Sequence, residues 1–155
     1  MSSSVRIECL AHHPELLPLL TVWFQSEWPA YYGPSGPGDA EADLRAFSTG
    51  SVPVGLVAFR DGELCGVAAL KAQSIASHPD IGPWAGAGFV PKEHRRQGIG
   101  ARLLDGVETV AKELGFVRIY CATSTAASLL ERNAWRLSEH ITHDGELIAI
   151  YEKTL

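Results

Sequence analysis

Val90-Pro-Lys-Glu-His-Arg-Arg-Gln-Gly-Ile-Gly-Ala101 follows a glycine-containing apolar stretch, Trp84–Val90, and opens the longest amphipathic pattern of the chain. Ile99, Leu103, Val107, Val110 and Leu114 recur at helical spacing, and Gly115 suits the C-terminal cap. The segment reads as strand, turn, helix. The first N–H groups of such a helix lack intrahelical partners, and with the positive end of the helix dipole they favour an anion. Gly98 and Gly100 have no Cβ, so an oxygen-rich group can approach the main chain. Lys92, His94, Arg95 and Arg96 add local positive charge to a chain of formal net charge −5. A diphosphate fits this description; a glycine-containing helix start beside a solvated basic run fits it too. Two other phosphate motifs fit worse. A Walker loop ends in Gly-Lys-Ser/Thr, whereas Gly100 is followed by Ala101-Arg102, and a dinucleotide fingerprint needs a third glycine where Leu103 stands.

Working outward, Val117–Ala122 is a compact apolar strand and Ala126–Arg132 a short helix. Trp135–His140 and Leu147–Lys153, joined through Asp144-Gly145, form a closing hairpin. Upstream, Val54–Phe59 and Leu64–Leu70 flank Asp61-Gly62, a dipeptide that supplies the positive φ of a two-residue turn. Val5–Cys9 alternates with period two, as a half-buried strand does. His13-Pro14 opens a helix with Leu16, Leu17, Leu20, Trp23, Phe24 and Trp28 on one face. Pro29–Gly38 and Ser74–Pro83 read as loops, with a short helix from Asp39 to about Ser48. The order predicts one α/β domain over residues 1–155, built on a mixed sheet.

The 155 residues suffice for one domain with its own core. A hydrophobic share of 46% with 20% charged residues excludes a disordered or fibrous chain. The acidic balance argues against general nucleic-acid or anionic-membrane binding. Cys9, Cys65 and Cys121 lack any C-x-x-C spacing and read as small buried hydrophobes in a reducing compartment. Residues 1–6 show no basic stretch leading into an apolar run, and Leu16–Phe24 is too short to span a bilayer. The expectation is a cytoplasmic protein with no membrane partner. His12-His13 and His140-x-x-His143 have poor metal-ligand spacing and no companion cluster, so no metal is expected.

Arg95-x-x-Gly98-x-Gly100, flanked by Val90-Pro-Lys-Glu and Leu103-Leu104, resembles the acetyl-CoA motif of the GNAT superfamily of N-acetyltransferases. The order of elements agrees with that family from Val5 to Leu155. The resemblance implies a twisted, mixed, mostly antiparallel sheet flanked by helices. It also implies acetyl-CoA as co-substrate and direct transfer of acetyl to a primary amine of a small molecule or peptide. In the family the strand before the motif, here Ala85–Val90, splays from the next, here Ile119–Ala122, and the pantetheine arm adds itself as a strand. By that analogy Phe89, Val90 and Pro91 line the arm. The backbone of Arg95, Arg96, Gln97, Gly98, Ile99, Gly100 and Ala101 holds the pyrophosphate. A main-chain N–H near Gly88–Val90 polarises the thioester carbonyl.

The attacking amine must first lose a proton, usually through water, to a carboxylate or histidine near the strand mouth. His78, Asp80 and Glu27 are the candidates, each also readable as an ordinary loop or helix-end residue. Trp28, Tyr31, Tyr32 and Trp84 are candidates for the wall of an acceptor pocket, and Trp84 reads equally well as core. The chain departs from the family where Tyr-Glu-Lys/Arg-x-Gly-Phe/Trp is usual. Leu130-Glu131-Arg132-Asn133-Ala134-Trp135 has leucine for the proton-donating tyrosine and alanine for the glycine. Ser124, Thr125 and Ser128 are close in sequence but are poor acids, so the general acid stays unassigned. The loss of the tyrosine admits an alternative, an acyl-CoA-binding sensor without turnover. A third reading is a phosphate-binding interaction domain. The closing hairpin could also pair between subunits as a homodimer.

Overall fold

In the computed structural model, which describes residues 4–155, a seven-stranded sheet runs in the order β1-β2-β3-β4-β5-β7-β6. The strands are β1 (Val5–Cys9), β2 (Val54–Arg60), β3 (Glu63–Lys71), β4 (Trp84–Phe89), β5 (Arg118–Thr123), β6 (Arg136–His143) and β7 (Glu146–Thr154). Residues 1–3, part of the N-terminus read above as carrying no leader, lie outside the described residues. Five of the six neighbouring pairs are antiparallel, and only β4 and β5 run parallel. Both tight hairpins use the dipeptides singled out in the sequence. Asp61 and Gly62 (φ 52° and 77°), like Asp144 and Gly145 (51° and 77°), hold the two successive positive φ angles that match strand twist.

Among the described residues five α-helices cover the sheet: α1 (Leu17–Glu27), α2 (Pro29–Tyr32), α3 (Ala40–Ala46), α4 (Ile99–Glu113) and α5 (Ala127–Arg132). Side chains alternate between the faces of β3, and the core divides accordingly. Ala68 and Leu70 pack with Ile99, Leu103 and Val107 of α4, whereas Val67 and Ala69 pack with Leu20 and Phe24 of α1 and Leu44 of α3. Helix α4 lies close on its face: a Cβ added at Gly66 of β3 would sit 2.8 Å from Leu103 Cδ1. Removing the buried Leu103 side chain would cost about 2–5 kcal/mol.

Two segments differ from the sequence reading. The helix expected from Pro14 starts as a 3-10 turn, Pro14–Leu16, and becomes α-helical at Leu17. The stretch from Pro29 expected to be loop begins with the single-turn α2, because Pro29 occupies the first helical position, where its missing N–H costs nothing. That turn holds Tyr31 and Tyr32 on a defined backbone. Gly33 ends it in extended conformation.

Candidate functional site

Parallel strands β4 and β5 pair only at Trp84–Tyr120 and Ala85–Cys121. Beyond Ala85 they part. Strand β4 keeps its bonds to β3, where Gly86 faces Ala69 and Phe89 faces Val67. Ala87 and Gly88 therefore stand opposite the single residue Ala68, which is a β-bulge, and Ala87 has φ +53°. The gap opens into a cleft of about 680 Å³. Ala85–Val90 form one wall, Cys121–Ala126 the other, and Leu103, Leu104 and Leu129 the floor.

At one end of the cleft the chain turns through a 3-10 segment, Lys92–His94, into α4. Arg96 and Gly98 adopt left-handed φ of +63° and +78°, which folds the loop back over the helix end. No side chain caps α4 and its first turn holds no acidic residue. Arg102 N–H bonds to Gly98 C=O at 3.1 Å, so the amides of Ile99, Gly100 and Ala101 lie ahead of the intrahelical ladder. The Arg95 guanidinium is tied back to the strand end, its Nε donating to Val90 C=O at 2.9 Å. Of the residues expected to bind cofactor, Phe89, Val90 and Gly100 line the cleft. Arg95, Arg96, Gln97 and Gly98 form the turn at its end, and Ala101 lies in the first turn of α4. The side chains of Pro91 and Ile99 are buried, which leaves only their backbone to a ligand.

The aromatic residues separate. Trp28, Tyr31 and Tyr32 line the cleft on the face opposite α4, with Trp28 edge-on to Phe89 at 6.4 Å. Tyr32 donates its hydroxyl to Asp43 Oδ2 at 2.6 Å, and burial together with that carboxylate holds the phenol well above its ordinary pKa. Trp84 is instead a core residue. It is fully buried against Ile75 and Ile150, tilted on Tyr120 at 5.4 Å, with its indole N–H donated to Ile81 C=O.

None of the three base candidates lines the cleft. The His78 ring is held between Ser77 Oγ, 2.8 Å away, and the Glu139 carboxylate of β6. Asp80 and Glu27 are exposed away from it. The loop that carries His78 and Asp80 reaches the cleft through Ser74, Ile75 and Ala76 instead. The titratable side chains that do line it are Tyr31, Tyr32, Lys71, Cys121, His143 and Glu146. His143 and Glu146 face each other at the last register pair of β6 and β7. Their turn signal, Asp144-Gly145, was visible in the sequence. What the sequence hid is that β7 inserts between β5 and β6 and so carries the turn to the cleft.

Burial raises the Cys121 thiol to about 12, so it is neutral at physiological pH. Leu130 is buried with its side chain against the cleft and offers no proton. Ala134, at the family's glycine position, has φ +68°. Among the described residues no group of three His, Cys, Asp or Glu side chains is arranged to hold a metal, and no helix is long and apolar enough to cross a membrane.

Residues 17–136 match the family model described as the Acetyltransferase (GNAT) family. This chain belongs to the GNAT acetyltransferase family. Solved structures agree on the fold. An aminoglycoside 6'-N-acetyltransferase complexed with coenzyme A superposes with TM-score 0.78 at 14% identity, covering 96% of each chain. The aminoglycoside 6'-N-acetyltransferase from Enterococcus faecium gives 0.76 at 16% over the same shares. A GNAT-family acetyltransferase from Streptococcus pneumoniae gives 0.73 at 16%, covering 98% of this chain and 99% of that one. No curated protein matches the sequence significantly.

Proposed function

We propose that the protein binds acetyl-CoA along the gap between β4 and β5 and transfers its acetyl group directly to a primary amine. The observation that carries this reading is the parting of the two strands after Ala85–Cys121, next to an uncapped helix N-terminus. The free edge of β4 pairs with the amides of the pantetheine arm. The amides around Ile99–Ala101 receive the pyrophosphate, with Lys92 and Arg96 adding charge. The bulge at Ala87-Gly88 turns a main-chain N–H of the Gly88–Val90 segment toward the thioester oxygen, where negative charge develops during attack.

A typical alkylamine is protonated near neutrality and must be deprotonated before it attacks. His143 and Glu146 are the bases the cleft offers, acting through water. Attack forms the C–N bond, and collapse of the tetrahedral intermediate breaks C–S. The departing thiolate, with a pKa near ~8.5 on the cysteine scale, leaves without a tyrosine to protonate it. Cys121 is no candidate for an acyl carrier, because a thiol held near 12 supplies almost no thiolate.

A calorimetric titration with acetyl-CoA, CoA and pyrophosphate tests the cofactor half of this reading. Micromolar binding that depends on the pantetheine arm is expected; pyrophosphate binding as tightly as acetyl-CoA would refute it. CoA release in the presence of an amine panel tests the transfer half. Glu146→Gln and His143→Gln then report which group takes the proton.

A further inference from the structure

Lys71 ends β3, and its side chain lies on the sheet face opposite α4, as strand alternation from Val67 and Ala69 requires. Its stem runs across Gly86 of β4: a Cβ built there would meet Lys71 Cδ at 3.1 Å. The missing side chain at Gly86 is what lets the lysine reach the cleft, where it joins Trp28, Tyr31 and Tyr32. Lys71 Nζ makes no hydrogen bond or ion pair with any described residue. The acid whose charge acts on it, Asp43, already accepts the Tyr32 hydroxyl. Partial burial lowers the lysine's pKa below its ordinary value, so the charged form lacks solvation that a ligand can restore.

We propose that the acceptor is an amine that also carries a carboxylate, and that Lys71 pairs with that carboxylate and sets specificity. This deepens the acetyl-transfer reading above and rests on it. The lysine lies on the face opposite α4, so it is not a ligand of a pyrophosphate held at the α4 N-terminus. A single cation, already under the influence of Asp43, matches a monoanion better than a doubly charged phosphate. A polycation such as an aminoglycoside would bring its ammonium groups against Lys71, with Glu146 the one carboxylate of the cleft lining to offset them. The aromatic walls suit the apolar part of an amino acid or a similar acid.

The experiment has a kinetic and a binding arm. In the first, CoA release is followed with a set of L-amino acids, the methyl ester of each, spermidine and kanamycin. The expected result is a kcat/KM for at least one acid that exceeds its ester's by tenfold or more. Lys71→Met should raise KM for that acid by about tenfold to a hundredfold, leave kcat and the ester nearly unchanged, and be rescued in part by Lys71→Arg. In the second, the CoA-loaded protein is melted with N-acetyl amino acids and with their amides. Carboxylates alone should raise Tm, and the rise should vanish in Lys71→Met. Esters or polycations used as well as the acids would overturn the proposal, and so would the absence of any Tm rise from the carboxylates. Acetyl-CoA affinity, titrated separately, is unmoved by Lys71→Met, so loss of the cofactor reading and loss of this one are told apart.

Discussion

Ala85 and Cys121 form the last pair between β4 and β5, and beyond Ala85 β4 pairs only with β3, through Gly86 and Phe89. The gap is therefore set by backbone register, not by bulky side chains wedged between strands. The bulge at Ala87-Gly88 keeps β4 on β3 while β5 follows β7 away from it. The proposed cofactor site would therefore tolerate most side-chain substitutions in the strands and be sensitive to changes at the helix end.

Gly100→Glu should abolish acetyl-CoA binding and leave the fold intact. A Cβ at Gly100 meets only Leu129 Cδ2, at an ordinary 3.5 Å, so there is room for the side chain. Its carboxylate would then stand where the amides of α4 wait for an anion. Calorimetry and circular dichroism check both halves. Unchanged affinity would remove the pyrophosphate from this turn.

Cys121→Ala should keep turnover within a few-fold of the native rate, since the half-buried thiol, held high, is not ionised. Mass spectrometry of protein mixed with acetyl-CoA alone should show no acetyl group on Cys121. A stable acetylated Cys121 would mean a two-step route.

Leu130→Tyr should raise the rate of CoA release with a working acceptor, because it places a phenol at the position where the family usually carries its tyrosine. Leu130 is 1% exposed, so the larger ring also strains the core, by about 1–3 kcal/mol. A lower Tm with a faster rate is the expected pair of results. A lower Tm with an unchanged rate would mean that thiolate departure needs no donor.

Ala134→Gly should stabilise the protein by about 1 kcal/mol. Alanine at φ +68° carries left-handed strain, and glycine relieves it at a smaller entropic cost. For a chain of this size the shift is a rise of about 2–4 °C in Tm.

A pH window follows from His13, whose Nε2 lies 2.6 Å from Glu8 Oε1 and whose Nδ1 lies 3.1 Å from Glu15. The Glu8 bond, chiefly, raises the imidazole above 6.5, and the same bond lowers Glu8 below 4.5. The raised histidine contributes stability in full below 6.5 and loses it as pH rises through the higher, folded value. The lowered carboxylate contributes in full above 4.5 and loses it as pH falls through its own folded value. The pair thus works best between those limits. As pH rises above 6.5, Tm should fall more steeply in the native protein than in His13→Gln. Equal slopes would show that the pair carries no charge-linked stability.

The strand, turn and helix around 84–114 were legible because each is written locally. Strand glycines, a basic turn and a heptad-like apolar stripe lie within about thirty residues of one another. The two Asp-Gly hairpins were legible for the same reason. What stayed hidden depends on residues far apart in the chain. His78 reads as a base candidate or an ordinary loop residue, and Glu139, 61 positions later, takes its ring. In the sequence His143 reads only as a poorly spaced metal ligand, and nothing local marks Glu146 or Lys71. They line the cleft only because β7 inserts between β5 and β6, and because Gly86 leaves space for a lysine stem. Trp84 could have been pocket or core, and only its neighbours Ile75 and Ile150 decide.

The parted strands have a consequence for how the protein would behave in a cell. A sheet left open along one seam is completed by whatever closes it, and a closing ligand adds its binding energy to folding. At an acetyl-CoA concentration a hundred times its dissociation constant, the gain would be about 2.7 kcal/mol. That is a sizeable fraction of the net stability usual for a single domain. Resistance to unfolding and proteolysis would then track the acetyl-CoA supply, so the amount of enzyme surviving would itself record the metabolic state that feeds it.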